Sequence, residues 1–159
     1  MNADSARVLA IVERAFPYVE RPTDAEIPFH TDACAHCEMT LKELRRHSGE
    51  QLPASAIRWL CDELSTLSAK ATAWILPVYL RYVLTAEDPC DPRPTEFLIY
   101  ALSPAVEHET ETRMRLALLN GDQFKALGVV IAYWKDDPYW SEHCPDALDQ
   151  AAHFLATPK

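Results

Sequence analysis

Apolar residues recur every three or four positions along almost the whole chain, and this spacing restricts the fold more than any other feature of the sequence. Such spacing places apolar side chains on one face of successive helices. Strict alternation of apolar and polar residues, which is typical of a half-buried strand, is scarce. Only three glycines occur in 159 residues. Because this length is about that of one domain, we predict a single all-α domain at residues 1–159, an irregular bundle of about seven helices.

The apolar stripes and the capping residues define where each helix is expected to begin and end. Seven helices are predicted at residues 4–16, from Thr31 or Asp32 to His47, from just after Pro53 to residue 67, at 68–86, at 106–119, from the capping residue Asp122 to 134, and from Pro145 onward. A short buried helix, or else a strand, is expected at residues 97–102. The proline-rich residues 88–96 predict a rigid loop.

Residues 68–86 are apolar on most sides, which predicts the central helix of the core. Pro77 lies inside this segment. Proline has no backbone N–H to donate to the carbonyl four residues earlier. We therefore expect either a kink at Pro77 or a break into two helices.

The chain is acidic, with a formal net charge of −9. The charge is uneven, because residues 86–159 hold 13 acidic and 6 basic residues, whereas residues 1–85 hold 11 and 9. A negative surface repels phosphate backbones and anionic lipids, so neither nucleic acid nor a membrane is expected as a partner. A basic protein is the partner that this charge favours. The alternative is that the charge only keeps the protein in solution.

No run of about 18 apolar residues is present, so no membrane-spanning helix is expected. Charged residues interrupt the apolar positions of the first 16 residues, which therefore do not resemble an export signal. The five cysteines are Cys34, Cys37, Cys61, Cys90 and Cys144. An odd number of cysteines without an export signal argues against a disulfide framework. These observations predict a cytoplasmic protein.

The segment HTDACAHC, residues 30–37, is the most suggestive for chemistry, because it brings two thiols and two imidazoles, those of His30 and His36, together in sequence. Thiolates and imidazoles are the natural ligands of Zn²⁺. We expect Cys34 and Cys37 at a helix start, where the helix dipole lowers a thiol pKa. The predicted metal ligands are His30, Cys34 and Cys37. Zinc is the only cofactor that the sequence suggests, with His47, Cys61 or a distant residue as the fourth ligand.

Two other interpretations of this cluster stay open. Cys34 and Cys37 share an apolar helical stripe with Leu41 and Leu44, and free cysteine often behaves as a small buried hydrophobe. The two thiols would then belong to the core. A redox dithiol is the other interpretation, although the βαβ context of thioredoxin-like sites is not visible.

An acidic and partly aromatic set of residues in the second half of the chain is predicted to bind the partner. Aromatic side chains surrounded by charge are typical of protein interfaces. The predicted contact residues are Glu107, Glu109, Glu111, Asp136, Asp137, Tyr139 and Trp140. The alternative is a solvated acidic face, with the tryptophans closing the bundle. Glu109 and Glu111 also lie four residues before Arg113 and Arg115, a spacing that favours ion pairs.

Catalytic motifs are missing from the sequence. It contains no Gly-x-Ser-x-Gly and no HExxH, and glycine is too scarce for phosphate-cradling loops. We therefore expect a protein that is not an enzyme. A site built on a His/Glu or His/Cys pair, with His36 as the first residue to test, is kept as an alternative.

The chain resembles a family of small bacterial helical proteins. In that family a His/Cys cluster precedes a core helix with the pattern Leu-Pro-x-Tyr-Leu. The matching positions here are His30, Cys34 and Cys37, followed by Leu76, Pro77, Tyr79 and Leu80. Residues 121–134 also look like a later Gln-containing helix of the family. The resemblance covers about residues 29–135 and implies a helical fold and a bacterial, cytoplasmic setting, but no activity.

Three functions are consistent with the sequence. The first is a non-enzymatic, acidic protein-binding module, for example an immunity protein that occludes the active site of a basic toxin or effector. The second is a zinc-stabilised helical protein with a regulatory or adaptor role. The third is an enzyme without a familiar motif.

Overall fold

The computed structural model describes residues 3–30, 32–47, 52–85 and 91–157, and these ranges contain nine α-helices and no strand. The helices are α1 (Ala3–Ala15), α2 (Ala35–Leu44), α3 (Ala54–Leu60), α4 (Ala69–Thr85), α5 (Arg93–Ala101), α6 (Glu109–Arg115), α7 (Gly121–Asp136), α8 (Pro138–His143) and α9 (Pro145–Ala156). Short 3-10 helices lie at Asp24–Glu26, Cys61–Thr66 and Val106–His108. The all-α prediction is confirmed. The two helices beyond the expected seven are α5, expected as a short helix or a strand, and α8, which was not expected.

The core is built around α4, as its composition predicts. α1 packs against both α4 and α7, and α7 packs against α9. Trp74 and Tyr79 of α4 and Phe16 after α1 are among the largest fully buried side chains. Their burial, together with that of the apolar residues around them, supplies most of the driving force for this arrangement.

Helix α4 continues through Pro77, so the expected break into two helices is absent. An internal proline costs a helix about 3 kcal/mol or more, because a hydrogen bond is lost. Full burial of one large apolar side chain contributes roughly 1.5–3 kcal/mol. α4 buries Trp74, Ile75, Tyr79 and Leu80 around this position, and their combined burial outweighs the cost of the proline.

Several predicted helix ends are wrong, each for a local reason. The second helix begins at Ala35, with Cys34 rather than Thr31 or Asp32 as its N-cap, and Thr31 itself lies outside the described residues. It ends at Leu44 instead of His47, because the amides of Arg46 and His47 donate to carbonyls only three residues back. The N-cap of α7 is Asn120, not Asp122. Asn120 accepts the amides of two residues, while Gln123 accepts the amide of Asn120.

Two predicted helices are shorter than expected, and part of one predicted loop is helical. The third helix changes from α to 3-10 geometry at Cys61, and the helix predicted at 106–119 keeps α geometry only over α6. Helix α5 begins at Arg93, within the predicted proline-rich loop, because Pro94 occupies the first turn, where no N–H donor is needed.

No helix among the described residues is long and apolar enough to cross a membrane.

Candidate functional site

The segment that carries His30 is held in place by backbone pairing. The amide of Phe29 donates to the carbonyl of Thr66 at 2.8 Å, and the amide of Ser68 donates to the carbonyl of Ile27 at 2.9 Å. An isolated bridge pairs Pro28 with Leu67 between these two hydrogen bonds. These contacts fix the chain on both sides of the bridge and place His30 next to the start of α2.

The start of α2 presents both cysteines to His30. Cys34 is the N-cap residue, and its sulfur accepts the backbone N–H of Cys37 at 3.4 Å. The Nδ1 atom of His30 lies 3.4 Å from the sulfur of Cys37. One ligand atom from each of the three residues lies within 4.8 Å of the other two. The structure therefore brings the three predicted metal ligands together.

The two thiols have different surroundings. Cys34 is half-buried, and the backbone N–H of Cys37 lowers the pKa of its thiol. Cys37 is 3% exposed, and burial raises the pKa of its thiol. The sulfur of Cys37 also donates to the carbonyl of Thr66 at 3.7 Å. Cys37 thus has polar neighbours, His30 and Thr66, instead of the purely apolar contacts expected for a core cysteine.

The distances in this cluster suit a tetrahedral zinc ion. Zn–S and Zn–N bonds of about 2.3 and 2.0–2.1 Å place tetrahedral ligand atoms roughly 3.5–3.8 Å apart. The separation of His30 Nδ1 and Cys37 Sγ is 3.4 Å, close to this range. The ligand atoms of all three residues lie within 4.8 Å of one another, and His30 and Cys34 are incompletely buried.

The suggested fourth ligands are not brought into the cluster. His47 lies 3.6 Å from a carboxylate oxygen of Glu43. Cys61 donates to the carbonyl of Arg58 at 3.1 Å and to Asp62 at 3.2 Å. Burial raises the pKa of Cys61 to about 12, which opposes the thiolate form that metals bind. Among the described residues, the group of three is the only cluster of potential metal ligands.

The seven predicted partner-binding residues lie on two separate parts of the molecule. Glu107, Glu109 and Glu111 belong to the 3-10 helix Val106–His108 and to α6, which packs against α4. The other four belong to the end of α7 and to α8, and α8 packs against α7 and α9. The first group makes the expected ion pairs. Glu109 pairs with Arg113 at 2.7 Å and Glu111 with Arg115 at 3.8 Å.

The second group has a structural role within α8. Asp137 accepts the backbone amides of Tyr139 and Trp140 at 2.9 and 3.3 Å, so it is the N-cap of this helix. Trp140 is half-buried and packs against the core. Tyr139 is exposed and stacks on His143, with ring centroids 4.4 Å apart. Asp136 is an exposed carboxylate at the end of α7.

Sequence analysis missed three large apolar side chains that are exposed beside the first acidic group. Val106, Met114 and Leu118 are 85%, 56% and 56% exposed. The signal that could have revealed them is their position off the apolar stripe of the predicted helix. We call these three residues, with the exposed Glu107 and Glu111 of the same stretch of chain, the α6 surface.

A cleft of about 520 Å³, which the sequence did not predict, lies between three elements. These are the 3-10 helix Cys61–Thr66, the C-terminal end of α5, and α6. His30 belongs to its wall, so the cleft adjoins the His/Cys cluster. Tyr100, His108, Glu111 and Arg115 also line it. These residues are widely spaced in sequence, and only the packing of the helices brings them together.

Comparisons of the chain with protein-family models, with curated proteins and with solved structures gave no match. The resemblance to a family of bacterial helical proteins therefore stays a prediction.

Proposed function

We propose that this protein binds one zinc ion through His30, Cys34 and Cys37 and acts as a zinc-stabilised helical protein with a regulatory or adaptor role. The observation that carries the proposal is the convergence of three zinc-type ligand atoms within 4.8 Å. Zinc sites with three protein ligands leave a fourth position for water or another molecule.

The bound ion would stabilise the folded protein by connecting two segments. His30 lies on the segment paired with residues 66–68, whereas the two cysteines lie at the start of α2. A ligand that binds only the folded state stabilises it by an amount that grows with ligand concentration. Both thiols must lose their protons on binding. The backbone N–H that lowers the pKa of Cys34 favours this step there, whereas burial, which raises the pKa of Cys37, opposes it.

The test is zinc stoichiometry, measured by native mass spectrometry on reduced protein supplied with Zn²⁺. We expect one zinc per chain, and we expect it to be lost in Cys34→Ser and in His30→Gln. Both residues are incompletely buried, so these variants should fold. The matched controls are Cys144→Ser, outside the cluster, and His108→Gln, another exposed histidine beside the cleft.

Two results would contradict the zinc proposal. The first is a wild-type protein that stays free of zinc after exposure to the ion. The second is a Cys34→Ser variant that retains as much zinc as the wild type. A shift in thermal stability with zinc, present in the wild type and absent in His30→Gln, would give independent support.

A second candidate function is the binding of a basic protein, as an immunity or inhibitor protein would bind a toxin. The α6 surface supports this candidate. Its exposed Val106, Met114 and Leu118 are accompanied by Glu107 and Glu111. Exposed apolar side chains within a charged rim are typical of protein interfaces. The acidic charge would speed encounter with a basic partner. The bound protein would then cover the active site of that partner.

This second candidate is tested with the Met114→Asp/Leu118→Asp double variant, whose substitutions lie on exposed positions. We expect the wild type to bind a basic protein, and we expect the double variant to bind the same protein much more weakly. Its association with the wild type should also slow as salt rises, because salt screens exposed charges. Equal capture by both proteins, or an association rate independent of salt, would exclude the α6 surface.

A further inference from the structure

The cleft beside α6 contains an arginine with an unusual environment. The side chain of Arg115 is only 13% exposed, yet its nearest carboxylate oxygen, on Glu111, lies 3.8 Å away. That separation is too long for a hydrogen bond. Burial lowers the pKa of Arg115 below the ordinary value of arginine. The guanidinium is therefore desolvated without a close negative partner.

Other arginines of the described chain show the contrast. Several of them have a carboxylate oxygen within 2.8 Å: Arg21, Arg45, Arg93 and Arg113. Arg115 has one short hydrogen bond, from Nη2 to the hydroxyl of Thr112 at 2.8 Å, and one long one, from Nη1 to the carbonyl of Ser65 at 3.5 Å. Because a guanidinium carries five N–H donors, Arg115 keeps capacity for another acceptor.

The cleft that Arg115 lines is large enough for a small molecule. Its volume of about 520 Å³ falls within the roughly 300–1,000 Å³ of typical ligand sites. Leu64 and Phe97 provide apolar wall, and the hydroxyl of Tyr100 and the ring of His108 provide polar groups nearby. The guanidinium also lies over the ring of Phe29, with its carbon 5.3 Å from the centroid, which holds it in place.

We infer that this cleft binds a small molecule carrying a carboxylate or phosphate group, with Arg115 as the residue that holds the anion. Planar guanidinium pairs with such groups through two parallel hydrogen bonds. The apolar wall would accept the body of the molecule. Since the protein carries a net charge of −9, general attraction for anions is excluded, and binding has to depend on the local environment of Arg115.

Two acidic residues that line the cleft, Asp62 and Glu111, would repel a bound anion. Substitution of Glu111 therefore tests the inference. Asp62 is engaged by the thiol of Cys61 at 3.2 Å. Glu111 is half exposed and only loosely paired with Arg115, so it can turn toward solvent when an anion arrives. Removing the charge of Glu111 should therefore strengthen binding, whereas removing that of Arg115 should weaken it.

The experiment uses benzoate and phenyl phosphate as probes, titrated into chelator-treated protein and followed by NMR shifts of cleft residues. We expect saturable binding of at least one probe, and the tighter probe identifies the carboxylate or the phosphate as the preferred group. Arg115→Gln should weaken binding by about tenfold or more, the usual effect of losing a charge-assisted pair. Glu111→Gln should strengthen binding.

The matched control is Arg113→Gln, on the same helix, whose guanidinium pairs with Glu109 and lies over Phe154. It should leave probe affinity within about twofold of the wild type, because Arg113 does not line the cleft. Circular dichroism verifies the fold of each variant. If Arg115→Gln does not fold, the probe affinity of Glu111→Gln alone tests the inference. Glu111 is half exposed, so this substitution should leave the fold intact.

The inference is overturned if neither probe saturates at concentrations up to tens of millimolar. Equal weakening in Arg115→Gln and Arg113→Gln, or unchanged affinity in Glu111→Gln, would also overturn it. The protein in this experiment contains no zinc, so failure here leaves the zinc proposal untouched. Failure of zinc binding likewise leaves the anion cleft untouched.

Discussion

At the scale of single residues, the carboxylate of Glu26 contacts both Thr23 and Lys70. Its carboxylate accepts the amide of Thr23 at 3.0 Å and the hydroxyl of Thr23 at 2.8 Å, and it pairs with Lys70. These contacts, with Lys70 the largest, lower the pKa of Glu26 to about 2. The carboxylate therefore connects the 3-10 helix Asp24–Glu26 to the first turn of α4.

Glu26→Gln should lower the melting temperature at neutral pH and make little difference near pH 2. The folded-state pKa lies below the ordinary value, so the stabilisation is complete above about pH 4.5 and is lost as pH falls toward 2. The measurement is thermal unfolding of both proteins between pH 7 and pH 2.5. Glu13→Gln, on an exposed position of α1, is the control. A difference between wild type and variant that stays constant over this range would contradict the prediction.

The His/Cys cluster could be predicted at this scale, because ligand type and the Cys-x-x-Cys spacing are properties of neighbouring residues. Once a helix begins between Cys34 and Cys37, its geometry brings the two residues close together, independently of how the other helices pack. Arg115 could not be singled out in the same way. Its spacing from Glu111 predicted an ordinary ion pair, and only the structure shows that the pair is long and that the Arg115 side chain is largely buried.

At the scale of secondary-structure elements, α8 depends on its first residue more than on its composition. A helix of six residues has little intrinsic stability, and this one begins with Pro138 after the capping carboxylate of Asp137. The neighbouring Asp136 belongs to α7 and accepts no cap hydrogen bond of α8. Two adjacent acidic residues thus have different roles.

Asp137→Ala should destabilise the protein by about 0.5–2 kcal/mol, the usual cost of losing an N-cap side chain. Asp136→Ala should change stability by less than about 0.5 kcal/mol, as exposed substitutions generally do. Urea denaturation of the two variants checks this, and equal values would disprove the capping role. It follows that, of these two residues, Asp136→Lys tests the predicted acidic contact without removing the cap of α8.

The elements that sequence analysis predicted well are those with long apolar stripes, namely α1, α4, α7 and α9. Two helical starts that it missed, those of α5 and α8, have a proline in the first turn. Residues 88–96 and 136–140 have the composition of loops, yet Pro94 and Pro138 occupy first helical turns, where proline needs no N–H partner. Composition alone does not distinguish a proline that ends a helix from one that begins it.

At the scale of the whole molecule, stability depends on the buried cluster that α4 organises. Buried side chains of α1, α4, α7 and α9 belong to one hydrophobic cluster. Sequence patterns predicted which residues enter this cluster, because burial follows helical periodicity. They could not predict the anion cleft, since its walls come from residues as far apart as His30 and Arg115, and their meeting depends on how the helices pack.

Ile75→Ala should lower the free energy of unfolding by about 2–5 kcal/mol, through lost burial and the cavity left behind. Ile75 is 1% exposed and lies in the middle of α4. Val106→Ala, at the most exposed large apolar residue described, is the matched control and should have almost no effect. Chemical denaturation gives both values. A cost below about 1 kcal/mol for Ile75→Ala would mean that α4 is not central to stability.

The pairing of residues 27–29 with 66–68 has a kinetic consequence for the proposed zinc site. Ser68 is bonded to Ile27 through its amide, and it also accepts the amides of Ala71 and Thr72 at the beginning of α4. This pairing holds the backbone next to His30, and opening it would disturb the first turn of the central helix. We therefore expect zinc to dissociate at a rate set by local unfolding of the chain, so that a chelator added in excess would remove the ion no faster at higher concentration.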